Sequence, residues 1–158
     1  MRMFGIPLCI AITMAGCGKR SLSTPVLTPL VEQWEKGDKS GMIRRFVDTD
    51  WTAGPLFAPD SVFSMSENQF MRLRSEESVA MSKEILPQIV TLRQIAQGVI
   101  EAGKAASGKG DSAGAKKHFN AVKQYGVALD NKDTLLIVQQ VGKAFVKLAD
   151  AELAKVNP

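Results

Sequence analysis

Lys109-Gly110-Asp111-Ser112-Ala113-Gly114-Ala115-Lys116-Lys117-His118-Phe119 is the stretch that decides how this chain folds. Gly110 suits the left-handed position that closes a helix, because it has no Cβ to clash there. Asp111 follows with a carboxylate able to accept from the free N–H groups of the next helix. Beyond it Ala115, Phe119, Val122 and Tyr125 recur at helical spacing, which predicts a helix from about Ser112 to Leu129 with those side chains inward. One helix ends and the next begins within a few residues, so the segment is the corner of a helical hairpin.

Upstream, Phe70, Leu73, Val79, Ile85, Leu86, Ile89, Leu92, Ile95 and Val99 keep helical spacing until Ser107-Gly108-Lys109-Gly110 ends the run. Ser66 with Gln69 matches a capping box, and a break near Ser75 is expected because Glu76 and Glu77 favour a new N-terminus. Pro87 has no N–H and is expected to kink or interrupt the helix just before it. Downstream, Asn131 breaks the chain, and Asp133 or Thr134 is placed to cap a last helix carrying Leu136, Val141, Phe145, Leu148 and Leu153.

The corner has a counterpart near the other end. Lys36-Gly37-Asp38-Lys39-Ser40-Gly41 repeats the glycine and aspartate, and in both copies a basic pair (Arg44-Arg45, Lys116-Lys117) leads towards a phenylalanine, Phe46 or Phe119. Around it, Thr28-Pro29 reads as a cap and first helical residue, Leu30, Val31 and Trp34 as one short helix, and Met42, Ile43, Phe46 and Val47 as the face of the next. Between Thr49 and Ser66, Gly54-Pro55 and Ala58-Pro59 forbid a continuous helix. No stretch alternates as a strand does. The fold class is all-α, a small bundle of about five to six helices.

From Gln97 to Leu148 the C-terminal corner resembles a degenerate tetratricopeptide-repeat hairpin. Val99, Ala102, Gly103 and Ala106 stand at the first-helix positions and Ala115, Phe119 and Val122 at the second-helix positions. The distance to the last helix exceeds the ~34-residue repeat and the closing proline is absent, so a repeat-like hairpin plus one helix is expected rather than a solenoid.

The N-terminus reads differently. Arg2 precedes an apolar run from Met3 to Met14, then Ala15, Gly16 and Cys17. The run is too short to span a bilayer, which needs about 20 apolar residues, and it fits the ~7–15-residue core of a signal peptide. An ordinary cleaved signal or a buried N-terminal helix would use the same run. Met14-Ala15-Gly16-Cys17 resembles the lipobox of bacterial lipoproteins, with Met14 where that family prefers Leu. The resemblance implies cleavage before Cys17, acylation of Cys17 (palmitate among the acyl groups), and a membrane-anchored protein of the cell envelope. Gly18 rather than Asp after the cysteine implies the periplasmic face of the outer membrane over the inner membrane. Residues 1–16 are then the signal peptide, 17–28 the lipidated cysteine and a Ser/Thr/Pro-rich tether, and 29–158 a single helical domain. Cys9 and Cys17 are the only cysteines, so such a mature chain has no internal disulfide.

The formal net charge is +4, with lysines crowding the C-terminal third. Nucleic acid is not the expected partner, because aromatic residues do not interleave the basic ones; the lysines read as solvated helix faces. Gly103-Lys104-Ala105-Ala106-Ser107-Gly108-Lys109 has phosphate-loop spacing, but Gly110 stands where the magnesium-binding hydroxyl belongs and no strand precedes it, so no nucleotide is expected. His118, the only histidine, has no partners suggested by spacing; Glu84 with Glu76 or Glu77, and Asp48 with Asp50, read as solvated or dipole-facing carboxylates. No metal, cofactor or catalytic residue is assigned. Trp51, Phe57 and Phe63, with Trp34 and Phe46, read first as core between the N-terminal hairpin and the long helix. Their alternative is an exposed patch, Trp51, Phe57 and Phe63, that grips a partner. The expected function is a non-enzymatic, lipid-anchored interaction or scaffold module with a protein partner in the envelope. The alternatives are a binder of a small ligand or cell-wall polymer between helices and, third, a hydrolase built around His118 or Glu84.

Overall fold

The computed structural model describes residues 26–57 and 61–156; the apolar N-terminal run, Cys17, most of the tether and the Ala58-Pro59 step lie outside them. The described chain is all-helical: α1 (Leu27–Glu35), α2 (Lys39–Asp48), a 3-10 turn (Val62–Ser64), α3 (Glu67–Phe70), α4 (Ser75–Gly108), α5 (Ser112–Leu129) and α6 (Leu136–Val156). Among the described residues no helix is long and apolar enough to cross a membrane.

The two glycine–aspartate corners have the same geometry. Gly37 and Gly110 take φ of 76° and 81°. At the first corner Asp38 N–H donates to Gln33 O and Gly37 N–H to Trp34 O; at the second Asp111 N–H donates to Ala106 O and Gly110 N–H to Ser107 O. These bonds satisfy the last carbonyls of α1 and α4. Each aspartate Oδ1 then accepts from the glycine N–H three residues on, Gly41 at 2.9 Å and Gly114 at 2.8 Å. A Cβ on Gly41 or Gly114 would collide with that cap carboxylate. Phe46 and Phe119, eight residues after their caps, are fully buried.

Neighbours in sequence pack on one another. α5 packs chiefly against α6 and α4, α2 touches α1, α4 and α5, and α4 also meets α1 and α6. Glycines set the closest approaches: a Cβ on Gly103 would lie 2.5 Å from the Phe119 ring, and one on Gly126 would lie 2.7 Å from the Gly142 carbonyl oxygen. The α5–α6 crossing is therefore backbone against backbone.

The loop aromatics are core. Phe46, Trp51 and Tyr125 pack with centroids 4.6–5.2 Å apart, Phe145 completes the group, and Phe57 stacks on Phe63 at 4.9 Å. The Trp51 indole N–H donates to Phe46 O at 3.2 Å, which satisfies its one polar group.

Several expectations are corrected. α1 begins at Leu27 with Val26 as its cap, so Thr28 lies inside the first turn. Burial of Leu27 and Leu30 draws that turn in, and Pro29 fits it because early helical N–H groups have no acceptor anyway. Pro87 does not interrupt α4, which runs unbroken through it. Ile85, Ile89 and Leu92 bury the same face on both sides of the proline, while Pro87 and Lys83, whose carbonyl loses its donor, are exposed to water. The break near Ser75 is present: Glu77 reaches back to Arg74 N–H, and the Ser66–Gln69 capping box starts α3. At α6 a distant residue supplies the acceptor: Glu67 Oε2 takes the Leu136 N–H at 3.0 Å, while the Thr134 hydroxyl donates to Asn131 O.

Candidate functional site

Apolar doublets in α4 and α6 build the most distinctive surface of the molecule. On α4, Ile85-Leu86 and Ile89-Val90 each place the first side chain inward and the second outward; Leu86 and Val90 are 52% and 49% exposed. At the start of α6, Leu135 is buried but Leu136 and Ile137 are turned out. Neighbouring positions on a helix lie about 100° apart, and here the second residue of each α4 doublet falls outside the strip that the other helices cover. Phe70 of α3, Ile85 and Leu86 of α4, and Leu135, Leu136 and Ile137 at the head of α6 line an open groove of about 430 Å³ whose polar members are Glu67, Ser82 and Gln140. The Glu67–Leu136 hydrogen bond pins α3 to the head of α6 and so holds the groove's two ends in register. Val79, which keeps the helical apolar spacing with Leu86, is 52% exposed on the same side of α4.

A second cleft, about 370 Å³, lies between α2 and α5 and brings His118 together with Ser40, Arg44, Asp48 and Lys117. His118 Nδ1 is 2.6 Å from Gly114 O, so it carries the proton and donates. Lys117 Nζ sits 2.8 Å from Asp48 Oδ1, and that hydrogen bond, then its charge and that of Arg44, hold the Asp48 carboxyl below the usual carboxylate range. The Ser40 hydroxyl donates to Asp38 Oδ1. Nucleophile, base and carboxylate are thus bonded to other groups, not to one another, and the relay a hydrolase needs is not assembled. Glu84 is half-buried on α4, remote in sequence and cleft from His118. Among the described residues no group of three or more His, Cys, Asp or Glu converges as a metal site.

Two further shallow clefts, of about 580 and 470 Å³, meet at Trp51, Val127 and Ala128; Asn120, Lys123, Gln124, Asn131 and Asp133 supply polar edges. Trp51, Phe57 and Phe63 themselves are 4%, 4% and 0% exposed. The gripping patch is therefore corrected to core: burying these rings stabilises the loop more than an open surface would. The phosphate-loop spacing is the end of α4, and its Lys109, Gly110 and Asp111 N–H groups already donate to Ala106 and Ser107 carbonyls. Lysines on α4, α5 and α6 pair on exposed faces, as Lys123–Asp150 at 2.8 Å and Lys104–Glu101 at 3.0 Å.

Leu86 and Val90 beside buried Ile85 and Ile89 give α4 a second apolar face, but the doublet alone does not mark it, since Val99-Ile100 on the same helix is buried at both positions. No protein-family model matches the chain, and neither does any curated protein sequence or solved structure.

Proposed function

We propose that the protein is a lipid-anchored envelope protein whose helical body is a non-catalytic interaction module, engaging a protein through the apolar surface shared by α3, α4 and α6. The observation that carries this reading is the groove lined by Phe70, Leu86, Leu136 and Ile137, apolar and open to solvent. Exposed apolar surface of this kind costs free energy in water and is kept where something covers it. Anchoring rests on Cys17 and the residues before it. Cys17→Ala, or globomycin, is expected to stop processing and release the chain from membranes; unchanged fractionation removes the anchor.

The groove is tested separately. A photo-cross-linking amino acid at Ile137 is expected to give a discrete protein adduct in membranes, lost on Leu86→Asp. Adducts identical to those from the same group at exposed Ala151 would end the groove reading. The clefts meeting at Trp51 and Val127, with amide and lysine edges, favour a second reading as a cell-wall-polymer site. Co-sedimentation with purified cell wall, weakened by Asn120→Ala with Gln124→Ala, would support it; no sedimentation sinks it.

A further inference from the structure

The outward side of α4 carries a seam that none of the described helices covers. Glu76, Val79, Lys83, Leu86, Val90, Arg93 and Gln97 are all exposed and recur at alternating spacings of three and four residues. That is the interval at which one helix packs along another as a coiled-coil seam. Val79, Leu86 and Val90, with Lys83 among them, are flanked by the acid Glu76 on one side and the base Arg93 on the other.

From this pattern we infer that a second copy of this chain covers the seam, α4 against α4 in antiparallel register about a two-fold axis between Glu84 and Ile85. In that register Val79 meets Val90 of the second copy, Lys83 lays its aliphatic stem on Leu86 of the second copy, and Glu76 meets Arg93 of the second copy. Each contact occurs twice, as a two-fold interface requires. Glu76 and Arg93 make no ion pair with any other described residue, so both charges are free to pair across the axis. A parallel arrangement would set Glu76 on Glu76 and Arg93 on Arg93, so like-charge repulsion selects the antiparallel one. Leu86, which with Lys83 flanks the axis, also lines the groove with Leu136 and Ile137, so the two grooves join into one apolar surface on assembly. This inference rests on the interaction-module reading and names its partner.

The full chain, in detergent under reducing conditions, is to be examined by sedimentation equilibrium. A dimer is expected. Glu76→Arg or Arg93→Glu alone is expected to weaken it by about tenfold, since each change replaces two attractions by two repulsions. Glu76→Arg with Arg93→Glu in one chain is expected to restore it to within about twofold, and Leu86→Asp to leave monomer. All these positions are exposed, so circular dichroism should be unchanged. A monomeric wild type, a dimer indifferent to Leu86→Asp, or a double reversal as weak as the single ones overturns the inference. If such a monomer still gives an Ile137 adduct with a different protein, the interaction module stands and self-association alone falls.

Discussion

Tyr125 shows how much this core depends on single side chains. Its ring is enclosed by Phe46, Trp51 and Phe145, and its hydroxyl is buried without a hydrogen-bond partner among the described residues. Burial alone pushes its pKa far above the ordinary tyrosine value. A buried hydroxyl with no partner forfeits about 1–3 kcal/mol of hydration, so Tyr125→Phe is expected to raise stability by about 1 kcal/mol in urea unfolding. Trp51→Ala should act the other way, by about 3–5 kcal/mol, because it empties the space beside Phe46 and Tyr125 and leaves Phe46 O with only the longer bond from Thr49 N–H, at 3.4 Å. An unfolding midpoint unchanged by Trp51→Ala would mean that the indole is not core. The sequence marked Trp51 as aromatic in a proline-broken loop, and that is all local pattern can do. Whether such a ring turns in or out depends on which helix passes beneath it.

Elements carry the next set of forces. The α5–α6 crossing depends on Gly126 and Gly142, whose backbones leave no room for a methyl group. Gly126→Ala and Gly142→Ala are each expected to destabilise by about 2 kcal/mol or more, despite the higher helix propensity of Ala, because helix separation must increase along the whole crossing. Thermal melts of the two variants would check this, and a rise in midpoint would contradict the close approach. Pro87 has the opposite sign. It sits exposed inside a continuous α4, so Pro87→Ala restores one backbone hydrogen bond and is expected to stabilise by about 1–3 kcal/mol in denaturant melts. Corners were the most legible part of the sequence, since Gly37-Asp38 and Gly110-Asp111 act through bonds to residues a few positions away. The start of α6 was less so: its N–H acceptor is Glu67, on another element, and no window around Leu136 contains it.

For the whole molecule, charge sets an acid limit. Asp48 is lowered by Lys117, Asp50 by Thr52 and Glu77 by Arg74. A carboxyl lowered in the folded state contributes stability that is present above its unfolded pKa and is lost as pH falls through the folded one. The melting temperature is therefore expected to hold above about pH 5 and fall towards pH 3, with Lys117→Met removing the share due to Asp48. An equal fall in Lys117→Met would show that this pair plays no part. At the same scale the sequence by itself determined the helical class, the two capped corners and the inward face of α5. It also carries the lipobox-like address around Cys17, on which the proposed anchoring rests. These follow from interactions within a turn or two, or from residue order alone. Only the tertiary structure decided that Trp51, Phe57 and Phe63 are core, that α4 passes through Pro87, and that Val79, Leu86 and Leu136 face water. An apolar side chain is buried only where another element arrives to cover it, and that arrival is set by residues distant in the chain.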